Sequence, residues 1–258
     1  MVLLGVPLNL APLVVGLVTF SVYTNDRLAD SETDAFSDPE KAAFIGEHAH
    51  ILRPLADAAY GLAVMVAVTG GPYAFSLTLL PGAFWVFYAS DWFDSLGASL
   101  SRLKKVLVLN TTIVALAWAV VLTFLPLAFT TGRLTGGVAL VFAYFFLRVF
   151  NVVEMSNILT VDGDSRIGVD TIPVVFGLSG ARRALYLVNA LAVGVATATL
   201  ATGYVPVQVG LPLVAGTGYS LAVTACLGRW ASASALTQVA EAENFLTYFA
   251  LLAIPFVT

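Results

Sequence analysis

An all-α bundle of transmembrane helices is the fold this sequence predicts, and three observations predict it. Of its 258 residues 59% are hydrophobic and only 11% are charged, where a soluble domain carries about a quarter charged residues. The apolar residues come in blocks of about 17 to 25, the length a helix needs to cross roughly 30 Å of hydrocarbon while satisfying its own backbone groups. The charged residues collect in the connections between those blocks, nearly all of them on one side.

Taken in order, eight spans are expected: Val2 to Val22, Arg53 to Val68, Pro72 to Ala89, Val106 to Phe129, Gly136 to Met155, Ala184 to Ala201, Tyr204 to Leu227, and Phe245 to Val257. The first block has no basic segment before it and no small-residue cleavage site after it, so it reads as a retained span. The second is short and carries Asp57. Thr69 to Pro72, with Gly70 and Gly71, and Thr202 to Tyr204 read as tight turns that make antiparallel hairpins of spans two and three and of spans six and seven. Polar connections are expected at Tyr23 to Arg53, Ser90 to Lys105, Ser156 to Arg183 and Gly228 to Asn244. Cys226 is the single cysteine, so the chain forms no internal disulfide.

Charge sets the expected orientation. Arg27, Lys41, Arg53, Arg102, Lys104, Lys105, Arg148, Arg166, Arg182, Arg183 and Arg229 lie on one side or its flank, against Arg133 alone on the other. Cytoplasmic loops carry the excess of Lys and Arg, so the long connections are expected in the cytoplasm and both termini opposite. The sixteen carboxylates share that side, which the orientation rule does not require, and this marks the cytoplasmic face as the functional one. A secondary transporter would place ionisable groups and broken helices near the midplane. Here the opposite-side connections are short and almost chargeless. The acidic balance and the lack of a polybasic tail argue against nucleic acid as a partner.

Two acidic connections carry the chemistry. In Tyr23 to Asp34, YTNDRLADSETD, a helix would place Asp26, Asp30 and Asp34 at i, i+4 and i+8, one stripe about 12 Å long. Like charges at that spacing oppose the helix by a few tenths of a kcal/mol per pair, so the stripe is either a solvated acidic helix end or a site neutralised by a cation. Mg²⁺ suits it, because that ion takes one or two protein carboxylates and fills its other positions with water and phosphate oxygens. The second connection, NILTVDGDSRIGVDTIPVVFG from Asn157 to Gly177, carries Asp162 and Asp164 around Gly163, then Arg166, and reads as a polar loop with turn residues at Gly168, Pro173 and Gly177. Two acidic clusters on one membrane face suit Mg²⁺ held against a diphosphate.

These motifs resemble those of the UbiA superfamily of intramembrane prenyltransferases, and the resemblance covers nearly the whole chain. The family's NDxxDxxxD motif is matched by Asn25-Asp26 with Asp30 and Asp34, and its DxxGDxxxGxxTLP motif by Gly163-Asp164 with Gly168, Thr171, Ile172 and Pro173. The run Arg102-Leu-Lys-Lys followed by Asn110 is similar to the family's basic segment between the motifs. The resemblance implies one domain over residues 1–258, lacking the helix that usually precedes the first motif helix in the nine-span members. It implies Mg²⁺-dependent transfer of a prenyl group from a polyprenyl diphosphate to an aromatic or lipid acceptor. Asp30, Asp34 and Asp164 would be catalytic. Asp26, Asp30, Asp34, Asp162, Asp164 and Asn157 would hold metal, and Asn25, Arg102, Lys105, Asn110, Arg148 and Arg166 would meet the diphosphate.

Two departures matter. One extra residue separates Asn25-Asp26 from Asp30, which puts Arg27 where the family has its first acid, and Thr160 stands where an Asp is usual. They motivate a rival reading, a non-catalytic prenyl-lipid-binding or accessory protein on the same fold. Lys104 and Lys105 read equally as membrane anchors. Arg148, Asn151 and Glu154, three apart on the fifth span, either face the site or form an internal Arg148 to Glu154 pair, since an unpaired charge at midspan costs about 2.5 to 3.5 kcal/mol or more. Asp57 either caps its helix or adds to the acidic site. Asp91 and Asp94 read as a helix start. Phe84, Trp85, Phe87, Tyr88, Phe142, Tyr144, Phe145 and Phe146 would either line a prenyl tunnel or face lipid. His48 and His50 lack the partners for a zinc site.

Overall fold

Residues 1–31, 35–36, 39–89, 107–130, 134–229, 239–240, 242–243, 246–247 and 249–251 are described by a computed structural model. Their regular elements are helices: α1 Ala11–Ala29, α2 Pro39–Glu47, α3 Ala49–Val68, α4 Gly71–Ala89, α5 Leu109–Ala128, α6 Gly136–Asn157, α7 Val161–Ile167, α8 Ile172–Ala201 and α9 Val207–Cys226, after a short 3₁₀ turn at Val2–Leu4. Five of them, α3, α5, α6, α8 and α9, are long and apolar enough to cross a membrane. The helices α1 and α4, of 19 residues each, pack beside them. The eighth expected span lies mostly outside the described residues.

The first expected span is displaced. Gly5 takes a left-handed backbone (φ 62°) that closes the 3₁₀ turn, and Asn9 then starts the helix: its Oδ1 accepts from the Ala11 N–H at 3.0 Å and its Nδ2 donates to the Pro126 carbonyl at 3.0 Å. The helix continues past Val22 to Ala29 with Asp30 as its C-cap, so Asn25 and Asp26 of the first acidic motif are helical. The second acidic connection is also partly helical. It forms the single-turn-plus α7, which Gly168 ends at φ 70°, a conformation that a Cβ would strain. Helix begins twelve residues before hydropathy marks the sixth span, at Ile172, and the non-helical Gly177 (φ 66°, ψ −179°) divides Ile172–Ala201 into a short first helix and a long second one.

The order of packing runs α3 against α1, both against α4, α4 and α1 against α5, then α5–α6, α6–α8 and α8–α9. The core around α1 uses small contacts: Ala11, Ala63, Ala67 and Ala74 sit buried with Val14, Val18, Trp118, Val121 and Leu125. Lipid is as apolar as a leucine side chain, so close backbone approach at small residues holds such helices together. Pro81 inside α4 interrupts its ladder, and the Tyr60 hydroxyl of α3 donates to the Thr78 and Leu79 carbonyls nearby, at 3.2 Å each. A second core joins Met155, Ile158, Ile172, Ala181, Leu185, Val223 and Leu227.

Polar side chains thread this second half. Arg148 on α6 forms a buried ion pair with Glu243 and donates to Asn189 Oδ1 on α8 at 3.1 Å. Asn189 donates in turn to Thr224 Oγ1 on α9 at 3.3 Å. Ser220 on α9 donates to Asn151 Oδ1 at 3.2 Å. The partner of Arg148 is therefore Glu243 and not Glu154, which points toward α5 and accepts from Thr111 Oγ1 at 2.5 Å. Residues six apart on a helix diverge by about 120°, enough to send the two charged groups to different neighbours.

Removing one partner of a buried pair strands the other charge. Glu243→Gln should destabilise the purified protein by about 3 kcal/mol or more, whereas the apolar double replacement Arg148→Met with Glu243→Leu should cost clearly less. Denaturation in mixed detergent measures both, and equal losses would show that the pair is not coupled.

Candidate functional site

The two ends of α1 and α7 present their carboxylates in opposite electrostatic settings. Asp26 and Asp30 lie in the last turns of α1, one turn apart, where the Asp30 N–H donates to the Asp26 carbonyl at 2.9 Å. The C-terminal end of a helix carries about half a negative charge, so acids there call for a nearby cation. Asp162 and Asp164 fall in the first turn of α7, where the dipole favours them. Asp164 Oδ2 accepts from Thr160 Oγ1 at 2.8 Å, and the Asp162 carbonyl accepts from Ser165 Oγ at 3.0 Å. Asp162 and Asp30 are exposed, and Asp164 and Asp26 half-buried.

Beside the first motif lies a cavity of about 270 Å³ lined by Asn25, Ala29, Arg53, Asp57 and Trp85. Asn25 Nδ2 donates to the Ser21 carbonyl at 3.2 Å and reaches Asp57 Oδ1 at 3.4 Å. Asp57 sits well inside α3, so it is not a cap and belongs to this polar patch. The buried Trp85 Nε1 has no hydrogen-bond partner among the described residues. One wall thus combines a guanidinium, an amide and an indole N–H, donors suited to anionic oxygens. Sequence reading missed Arg53 and Trp85 in this role. The signal for Arg53 was its place just after the acidic connection, where it counted only as a flanking charge.

The two connections meet. The Arg166 guanidinium lies 4.4 Å from the ring centroid of Phe36, so a residue two after Asp34 covers one two after Asp164. Asn157, at the end of α6, donates to Thr111 Oγ1 at 3.4 Å, which ties the second motif to the start of α5, where Asn110 sits half-buried. Thr171, Ile172 and Pro173, the tail of the second motif, are buried, and Ile172 is part of the second core. Asp34, Arg102, Lys104, Lys105, Asp91 and Asp94 lie outside the described residues.

Other expected site residues are not gathered here. Arg148, expected against the diphosphate, has two of its nitrogens committed to Glu243 and Asn189 inside the bundle. Among the described residues no three His, Cys, Asp or Glu side chains form one metal-binding group, so Asp26, Asp30, Asp162 and Asp164 do not make a single cluster. His48 stacks on Phe44 with centroids 4.2 Å apart and its Nδ1 lies 2.9 Å from the Phe44 carbonyl. Of the aromatics, Tyr144 is buried with its hydroxyl donating to the Leu213 carbonyl at 3.4 Å, and Phe84 is exposed.

Comparison with known proteins bears on this arrangement. No curated protein matches the sequence. Among solved structures, a UbiA homolog from Archaeoglobus fulgidus bound to DMAPP and Mg²⁺ superimposes with a TM-score of 0.65 over 97% of this chain and 90% of that one, at 14% identity. That likeness is one of fold. The profile described as the UbiA prenyltransferase family matches residues 5–252. With nearly every residue inside that match and a bundle of apolar helices beneath it, the chain is a multi-pass membrane protein and belongs to the UbiA prenyltransferase family.

Proposed function

We propose that this chain transfers a prenyl group from a polyprenyl diphosphate to an apolar acceptor, in a Mg²⁺-dependent reaction at the membrane face where its two acidic connections meet. The contact of Phe36 with Arg166 carries this reading, because it brings the ends of both motifs together. The fold neighbour that binds DMAPP and Mg²⁺ supports the choice of donor and ion.

The residues present suit Mg²⁺. They are hard oxygen donors, and an ion needing only one or two carboxylates with substrate oxygens does not require three acids in one group. Asp26, Asp30 and Asp34 on one side, and Asp162, Asp164 and Asn157 on the other, would hold it, with Asp30, Asp34 and Asp164 the essential members. When bound, the ion acts as a Lewis acid on the diphosphate oxygens. Breaking the allylic C–O bond leaves a cation and a multiply charged leaving group. Arg53, Asn25, Arg166, Asn110, Arg102 and Lys105 would stabilise that leaving group with charge-assisted hydrogen bonds, and apolar helix faces would keep water from the cation.

The accessory reading has its own observation: Thr160, at the position of a family acid, spends its hydroxyl on Asp164. Activity separates the two. Asp164→Asn should lower prenyl transfer from labelled geranylgeranyl diphosphate by orders of magnitude with the melting temperature unchanged, and chelation of Mg²⁺ should abolish transfer. Thr160→Asp should tighten Mg²⁺-dependent diphosphate binding, and Asp162→Asn reports whether that residue shares the load. If Asp164→Asn and Thr160→Asp leave metal-dependent binding untouched, the second connection holds no metal and the accessory reading stands.

We place the motif face in the cytoplasm on the eleven-to-one distribution of basic residues. In a Cys226→Ala background, a cysteine introduced at Ser179, which is exposed near the Gly177 break, should react with an impermeant maleimide only after the membrane is opened. Labelling in intact cells would reverse the orientation.

A further inference from the structure

Tyr60 on α3 reaches across to α4 and enters that helix's own hydrogen-bond ladder. Its hydroxyl donates to the Thr78 and Leu79 carbonyls, at 3.2 Å each, and is hydrogen-bonded to the Gly82 N–H. Thr78 and Gly82 stand four apart, so in an undisturbed helix the N–H of Gly82 meets the carbonyl of Thr78 alone. The preceding rung is missing outright, because Pro81 has no N–H to give to the Leu77 carbonyl. A Cβ at position 82 would collide with the Tyr60 hydroxyl and ring, so glycine there is what lets the side chain in. Proline and an inserted side chain each loosen a helix locally, and here they act at neighbouring residues.

Just beyond this point stands Trp85. Thr78, Gly82 and Trp85, at i, i+4 and i+7, share one side of α4, as Arg53, Asp57 and Tyr60 share one side of α3. The cavity of about 270 Å³ is lined from both helices, by Arg53, Asp57 and Trp85, with Asn25 and Ala29 of α1. Tyr60 itself is not among its lining residues, so any effect it has on a bound molecule passes through another side chain. The Trp85 Nε1 is buried and has no hydrogen-bond partner among the described residues, although a buried indole N–H ordinarily finds one. Folding leaves this donor spare at a wall that also carries a guanidinium.

We propose that Tyr60 is a positioning residue for this cavity: its hydroxyl, seated in the ladder between Thr78 and Gly82, fixes the line of the last stretch of α4 and so keeps the Trp85 indole N–H where it meets an anionic oxygen of the diphosphate headgroup. This rests on the prenyl-transfer reading above and adds Trp85 to the donors named there. Arg53 and Tyr60 ride on the same face of α3, so the side chain that fixes α4 also fixes the separation of the guanidinium from the indole. Without the hydroxyl, the Gly82 N–H and the Thr78 carbonyl pair only with each other, and the segment from Gly82 to Ala89 takes a different line.

The test uses the detergent-solubilised full chain labelled with 5-fluorotryptophan. The chain has four tryptophans, and the fluorine resonance lost in Trp85→Phe is that of Trp85. Tyr60→Phe removes the hydroxyl and keeps the ring; it should move the Trp85 resonance further than any of the other three. With Mg²⁺ and a non-hydrolysable prenyl thiolodiphosphate, Tyr60→Phe and Trp85→Phe should each weaken binding about ten-fold, the size expected for one lost hydrogen bond to a charged group. The double variant should bind within about two-fold of either single one, because Tyr60 acts through Trp85. Gly82→Ala, which displaces the hydroxyl without altering Tyr60, should reproduce the shift and the loss, and it decides the matter if Tyr60→Phe does not fold. An unmoved Trp85 resonance, undiminished binding in Tyr60→Phe, or losses that multiply in the double variant would overturn the proposal. Failure of the thiolodiphosphate to bind the wild type would instead overturn the prenyl-transfer reading, and the Trp85 resonance in Tyr60→Phe then decides by itself whether Tyr60 positions the indole.

Discussion

Polar groups at membrane depth have no water to fall back on, and satisfying those of α6 determines how the second half of the bundle is built. Arg148 can be buried only because Glu243 and Asn189 meet it. Asn151 draws in Ser220 of α9, and Glu154 draws in Thr111 of α5. One helix thereby specifies neighbours on several sides, something hydrophobic contact cannot do when the lipid is as apolar as the helices. The first half follows a different logic. There the contacts are alanines and valines around α1, and close packing replaces polar recognition.

That division places the chemistry. The alanine-packed half carries the first acidic motif on the end of α1 and the cavity beside Arg53 and Trp85. The polar half carries the second motif on α7, directly after α6. The α5–α6 contact joins them, and the link from Thr111 to both Glu154 and Asn157 crosses it. A diphosphate site would therefore draw on both halves, and a shift of one against the other would change it.

The helical character of the chain and its membrane blocks were legible in the sequence, because hydropathy is a local property. The α1 register was legible too, since Asp26 and Asp30 stand one turn apart in any helix. The starts of α1 and α8 were not. Asn9 and Gly5 reset the first by hydrogen bonding and a left-handed turn inside an apolar run, and helix already begins at Ile172, ahead of the kink at Gly177, where turn residues suggested a loop. Nor was the partner of Arg148 legible. Glu243 lies 95 residues away, and no local pattern says which helices will adjoin. Arg53 was visible but ambiguous, because a basic residue at a helix entrance serves orientation and substrate binding equally well.

The contact between Phe36 and Arg166 has the strength of a latch rather than a weld. A guanidinium on an exposed ring contributes about 0.5 to 1 kcal/mol, close to thermal energy, so separation of the two connections is a few-fold matter of populations. In the proposed reaction, a prenyl tail tied to a charged head would pass beside this contact, which parts at little cost. Weakness at this one point leaves the two connections free to part.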